Sequence, residues 1–136
     1  MSNAPKFMLD TNICIYIQRH KPPSVLACFE AIKPGQAVIS VVTWGELLYG
    51  AAKSQQSKLV LKLLEGFVGF VPVLPMSSDC GKIYGQLRAD LEKTGRLIGN
   101  NDLWIAAHAM ASGLTLVTNN AREFERIPHL KTENWV

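Results

Sequence analysis

Asp10 heads the cluster Asp10-Thr11-Asn12, directly after the apolar run Phe7-Met8-Leu9. Glu46 lies three residues beyond Thr43, behind the β-rich run Ala37 to Val41, and Asp102 follows the turn Gly99-Asn100-Asn101. A further polar cluster, Thr118-Asn119-Asn120, again follows an apolar run, Leu114 to Val117. Carboxylates brought close together repel, and one is driven toward its protonated form unless a cation sits between them. A hard divalent ion with oxygen ligands resolves that conflict. Mg²⁺, with Mn²⁺ as a substitute, suits a site of few protein ligands and several waters. The chain offers no His or Cys cluster for zinc: His20, His108 and His129 are scattered and read as structural, and Cys14, Cys28 and Cys80 are widely spaced among apolar neighbours.

Whether these residues meet depends on the elements that carry them. Pro and Gly divide the chain into short alternating segments. Phe7–Leu9 reads as a strand, and Ile13 and Ile17 then recur at helical spacing. A helix is predicted around Val25 to Ile32, a strand over Ala37 to Val41, and a helix from about Thr43 with Trp44, Leu47, Leu48 and Ala51 on one face. Leu59, Val60, Leu63, Leu64 and Phe67 mark an amphipathic helix, and Cys80, Ile83, Tyr84, Leu87 and Leu91 mark a longer one. Phe70 to Leu74 reads as the third strand. Leu103, Ala106, Ala107 and Met110 form a helix ended by Gly113, Leu114 to Val117 the fourth strand, Phe124 and Ile127 a short helix, and Leu130 to Thr132 a polar last strand.

Strands alternating with helices predict an α/β fold, a parallel five-stranded sheet in a three-layer α/β/α sandwich. Pro72 cannot donate to a ladder and places the third strand at an edge; the polar fifth strand suits the other edge. The order 3-2-1-4-5 satisfies both and leaves the apolar strands in the middle. In such a sheet the order reverses between strands 1 and 4, and ligands bind in the crevice at the carboxyl ends there. The acidic and amide clusters all fall at those ends.

The composition agrees with one such domain over residues 1–136, with residues 1–5 expected to be a disordered terminus or a tag scar. At 136 residues and 48% hydrophobic content the chain is long enough for one core and too apolar for disorder. No run approaches the roughly 18 apolar residues of a membrane helix, and an odd number of cysteines without a leader-like start predicts a reducing, cytoplasmic setting. A net charge of +3 neither demands nor excludes nucleic acid.

Each site residue also has an ordinary structural use. Asp10 and Asn12 are typical N-cap residues, Thr43 and Glu46 have the spacing of a capping box, Asp102 in a first turn complements the helix dipole, and Thr118 and Asn120 can cap the next helix. These uses are independent of one another, whereas a functional site requires all the residues at one edge of one sheet.

The quoted segments resemble the PIN-domain ribonucleases, and within them the VapC toxins of type II toxin–antitoxin systems. The likeness is carried by Phe7 to Asn12, by SVVTWGELLYG from Ser40 to Gly50, by RLIGNNDLWIAAHA from Arg96 to Ala109, and by LTLVTNNAREFERIPHL from Leu114 to Leu130, in family order and spacing. The resemblance implies that Asp10 and Asp102 are Mg²⁺-binding carboxylates and Glu46 the third catalytic acid, with Thr11, Asn12, Thr118 and Asn120 as supporting donors. Many PIN domains carry a fourth acid just after strand 4, where this chain has Asn120, which predicts one negative charge fewer. The likeness further implies a homodimer, a cognate VapB-type antitoxin whose tail covers the site, and structured RNA, transfer RNA included, as substrate.

Hydrolysis of a phosphodiester at such a site uses the cation to lower the pKa of water and to clamp a phosphoryl oxygen, while Glu46 either orients and deprotonates the attacking water or binds the cation through one. This route leaves 5′-phosphate and 3′-hydroxyl ends. Lys53, Lys58, Lys62, Arg88, Lys93 and Arg96 are candidates for a basic rim, and Trp44 and Tyr49 for stacking, although solvated or core positions also suit them. Other α/β phosphate chemistry fits less well: Asn12 occupies the second acid of a D-x-D motif, Leu74-Pro75 stands where a receiver domain needs an Asp, and no glycine-rich phosphate loop is present. The rival from another class is a catalytically silent PIN-fold module that holds RNA or a protein.

Overall fold

The computed structural model describes residues 4–136; Met1, Ser2 and Asn3, part of the expected terminal segment, lie outside the described residues. Twelve elements occur in order among them: β1 (Phe7–Leu9), α1 (Thr11–Gln18), α2 (Pro23–Glu30), β2 (Ala37–Ser40), α3 (Val41–Ala52), α4 (Ser57–Phe70), β3 (Val73–Leu74), α5 (Ser78–Lys93), α6 (Asn100–Ala111), β4 (Thr115–Val117), α7 (Ala121–Phe124) and β5 (Thr132–Glu133). The sheet is parallel throughout, in the order β3-β2-β1-β4-β5. Phe7 pairs with Ala37 on one side and Thr115 on the other, so β1 is central, as its apolar sequence predicts.

Successive strand residues point to opposite faces, and both faces are covered. Met8, Val38 and Leu116 join a core with Leu87, Leu91, Leu103 and Phe124, under α5 and α6. Leu9, Ile39 and Val117, their immediate neighbours in sequence, join a second core with Ile13, Leu47, Leu64 and Val71, under α1, α3 and α4. The three layers result from that alternation.

Boundaries differ from expectation where a neighbouring element reaches further. The apolar face of α4 continues to Phe70, which packs on Phe29, so β3 shrinks to Val73–Leu74; Pro72, just before it, still accepts a bond from Ile39 N–H through its carbonyl. α3 starts at Val41 because the Ser40 hydroxyl accepts from Val42 N–H at 3.1 Å and caps the helix. Thr43 is therefore inside the helix and fully buried, which overturns the capping-box reading of Thr43 and Glu46. Gly113, at φ 67°, ends α6 in the left-handed conformation and turns the chain into β4.

Candidate active site

The β1–β4 ladder extends one residue past β1: Asp10 N–H donates to the Val117 carbonyl at 2.8 Å. This clamps Asp10 at the carboxyl edge of the sheet, where it N-caps α1 through Oδ1, which accepts from Thr11 N–H at 2.8 Å. Oδ2 accepts from the Thr118 hydroxyl, also at 2.8 Å, and Thr118 Oγ1 in turn accepts from Asn120 N–H at 2.9 Å. Thr118 is itself fixed by its N–H bond to the Glu133 carbonyl of β5. Asp10, only 5% exposed, is thus held at both oxygens by groups from two strand ends.

Thr11 serves the second acid. Its hydroxyl donates to Glu46 Oε1 at 2.6 Å and lies 3.3 Å from the Thr43 hydroxyl, tying α1 to the first turns of α3. Glu46 Oε2 has a long contact, 3.5 Å, from the Asn101 amide of α6. Asp102, one residue on, sits in the first turn of α6. Asn12 is exposed and its side chain forms no hydrogen bond to an acid among the described residues; Asn120 contributes its backbone N–H.

The acids perturb one another. Burial pushes Asp10 above the ordinary carboxylate range, its bonds from Thr118 and Thr11 pull part of the way back, and the charges of Glu46 and Glu123 push up again. Asp102 is pushed up to about 6, first by burial and then by the charges of Asp10, Glu123 and Glu46, with Glu123 also within hydrogen-bonding reach. Glu123 is not among the residues predicted from sequence. It is the third residue of α7, three positions after Asn120. Glu123 therefore adds a negative charge that bears on both Asp10 and Asp102. The Glu123→Gln variant removes two of the influences that raise Asp102, so Asp102 should titrate at lower pH; an NMR titration of the side-chain carboxyl carbons would measure it, and an unmoved midpoint would remove Glu123 from the cluster.

The donor set fits a hard divalent cation. It is all oxygen, and two of its carboxyls carry raised pKa values that a cation would relieve. Among the described residues no three His, Cys, Asp or Glu side chains are gathered tightly enough to enclose an ion by themselves. A hard divalent ion of this kind keeps several waters and takes one or two carboxylates. Nothing comparable is built at the cysteines, which are free, with Cys14 and Cys80 buried.

An open groove of about 650 Å³ lies between α3 and α6, lined by Thr11, Val41, Glu46, Tyr49 and Asn101, so that Glu46 faces it. Tyr49 is exposed rather than core, and Lys53 Nζ lies 4.9 Å from its ring centroid; Trp44 packs against the core. The other candidate rim cations are all exposed. Arg88 is the most constrained: it donates to the Tyr84 hydroxyl at 2.8 Å and pairs with Glu92, while Tyr84 stacks on Trp104 and bonds to Asn100 at the start of α6.

The sheet order and the acids at its carboxyl edge define an α/β domain with an acidic cleft. The family model of the PIN domain matches residues 7–130. The tRNA(fMet)-specific endonuclease VapC of Shigella flexneri is 48% identical over 130 residues, covering 96% of this chain and 98% of that protein. Among solved structures, DNA-bound VapBC from Salmonella typhimurium superposes with a TM-score of 0.90 at 42% identity, over 97% of this chain and 99% of that one. VapBC2 from Rickettsia felis, bound to a promoter DNA fragment, gives 0.89 at 43% identity over 96% and 98%. The chain belongs to the PIN-domain family and, within it, to the VapC ribonucleases. PIN-domain nucleases generally depend on a divalent metal.

Proposed function

We propose that this chain is the toxin of a type II toxin–antitoxin pair and acts as a Mg²⁺-dependent endoribonuclease on structured RNA, with transfer RNA, tRNA(fMet) first, as its substrate. The observation that carries the reading is the convergence of Asp10, Glu46, Asp102 and Glu123 at one sheet edge, with Asp102 raised to about 6 by burial and by its acidic neighbours. Asp10 and Asp102 would hold the cation, which would supply acidification of water and neutralisation of charge on the phosphoryl group. Glu46 has one oxygen occupied by Thr11; Oε2, turned toward Asn101, is the oxygen left to orient the attacking water and take its proton. Thr118 and Thr11 keep the carboxylates from turning away from the reacting centre.

A second groove, of about 420 Å³, runs from Thr11 and Glu46 between α1, α3 and α4 along Ile15, Leu47, Val60 and Leu63. Leu63 on its wall is 60% exposed, and the buried Gln18 Nε2 has no hydrogen-bond partner among the described residues. An apolar segment of a VapB-type antitoxin would cover the leucine, with its onward path leading to Glu46. The solved VapBC complexes support that partner. The proposal includes a homodimer in the cytoplasm; no described helix is long and apolar enough to cross a membrane.

The test incubates purified protein with tRNA(fMet) and an elongator tRNA, in Mg²⁺ or in EDTA, and maps the ends. Cleavage that requires Mg²⁺ and leaves 5′-phosphates is expected. Cleavage that persists in EDTA overturns the cation assignment, and binding without cleavage overturns the enzymatic reading.

A further inference from the structure

Ser40 and His108 are both fully buried, 68 residues apart in sequence, and joined by a 2.8 Å hydrogen bond between Ser40 Oγ and His108 Nδ1. The other ring nitrogen, Nε2, lies 3.2 Å from the Pro75 carbonyl just after β3. Ser40 is at once the last residue of β2 and the N-cap of α3, and His108 lies on α6. One side chain therefore links the helix that carries Asp102, the cap of the helix that carries Glu46, and the turn after the edge strand.

The hydrogens fit one arrangement. A carbonyl only accepts, so Nε2 must carry the ring proton and donate to Pro75. Nδ1 then accepts from the Ser40 hydroxyl, whose oxygen accepts from Val42 N–H. Every buried polar group in this chain of bonds is satisfied by a neutral ring, and burial favours the neutral ring by pushing the His108 pKa down. Both side chains are shut off from bulk solvent, with 0% exposure. Near the surface the same two helices are joined again by the long Asn101–Glu46 contact. The deep link is the better defined of the two.

We propose that Ser40 and His108 are a positioning pair for the nuclease reaction, holding the helix that bears Glu46 at a fixed setting against the helix that bears Asp102. The proposal rests on the reading of Glu46 and Asp102 as reacting acids. Neither residue touches substrate, and the effect passes through the cap of α3. Small displacements of reacting groups cost rate steeply, so loss of the link should appear in kcat rather than KM.

Four variants separate positioning from simple core filling. His108→Asn places an amide oxygen near the Nδ1 position and keeps the Ser40 bond, His108→Gln places an amide N–H near Nε2 and keeps the Pro75 bond, and Ser40→Ala and His108→Leu break the link outright. On tRNA(fMet) with Mg²⁺, kcat should fall about tenfold in Ser40→Ala, His108→Leu and His108→Gln, with KM nearly unchanged, while His108→Asn stays within about twofold of wild type. The Ser40→Ala/His108→Leu double variant should fall no further than either single one. Far-UV circular dichroism confirms folding, and if His108→Leu fails to fold the Asn and Gln variants carry the comparison. Wild-type kcat in folded Ser40→Ala and His108→Gln, equal losses in Asn and Gln, or losses confined to KM would overturn the proposal. ¹⁵N shifts of the His108 ring give a readout independent of activity, and an Nδ1–H tautomer would overturn it too. Full activity in Glu46→Gln and Asp102→Asn would instead overturn the assignment of the acids, a different outcome.

Discussion

Asp10→Asn should abolish RNA cleavage, by about 10³-fold or more, while leaving the protein folded and close to wild-type stability. The charge is what is lost. Holding a divalent cation and offsetting charge in the transition state are worth several kcal/mol, and each 1.36 kcal/mol is tenfold in rate. The fold has little reason to respond, because Asn is as good an N-cap as Asp and still accepts from Thr11 N–H through Oδ1. One bond does suffer. Two donors, Thr11 N–H and the Thr118 hydroxyl, point at the Asp10 carboxylate, and an amide has only one oxygen to offer them. That mismatch costs about 1 kcal/mol. Against it stands the relief of burying a carboxylate whose pKa is already raised by burial and by Glu46 and Glu123. The two effects oppose, so the melting temperature should move by no more than a few degrees, about 4 °C for each kcal/mol left over. Cleavage assays and thermal melts on the same preparation check both halves. An active variant would remove Asp10 from the reaction, and an unfolded one would show that its capping role outweighs its chemistry.

How far the sequence is legible depends on the range of the interactions. β1, β2 and β4 are readable because both of their faces are buried and the apolar runs say so. Pro72 marks the right edge even though the strand beside it is shorter than predicted, since a missing N–H is a property of one residue and needs no knowledge of its surroundings. The meeting of Asp10, Glu46 and Asp102 at one sheet edge is expected from strand order alone. Glu123 escapes for the opposite reason: no motif surrounds it in its four-residue helix, and only the fold brings its charge to bear on Asp102. Thr43 and Glu46 have capping-box spacing, but Ser40 already holds the cap, so Thr43 sits beside Thr11 in the site instead. His108 reads as merely structural because its two partners, Ser40 and Pro75, are 68 and 33 residues away.

Activity and cation-free stability should run in opposite directions with pH, and the crossing falls near the Asp102 value of about 6. Asp102 is raised above its ordinary 3.8, so the folded state holds its proton more tightly than the unfolded chain does. The stability this supplies is fully present below about pH 3.8 and is lost as pH rises through about 6. Asp10, also raised, acts in the same sense. His108 acts against them: its pKa is lowered by burial, so its contribution is present above about 6.5 and is lost as pH falls through the folded value. Comparing wild type with Asp102→Asn isolates the acid contribution. In EDTA, Asp102→Asn should gain stability over wild type at pH 7 and lose about half of that advantage at pH 5, the rest going only below about pH 3.8. Cleavage needs the ionised carboxylate to hold the cation, so below about pH 6 the rate should fall about tenfold per unit, or more steeply where Asp10 titrates as well. Protons and Mg²⁺ compete for the same oxygens. Raising Mg²⁺ should therefore move the midpoint of the rate profile to lower pH and remove most of the pH 7 instability. Melting curves at pH 5, 6 and 7 with EDTA or Mg²⁺, beside rate profiles at two Mg²⁺ concentrations, measure all of this. A rate midpoint indifferent to Mg²⁺ would mean that the titrating group is not one that holds the cation.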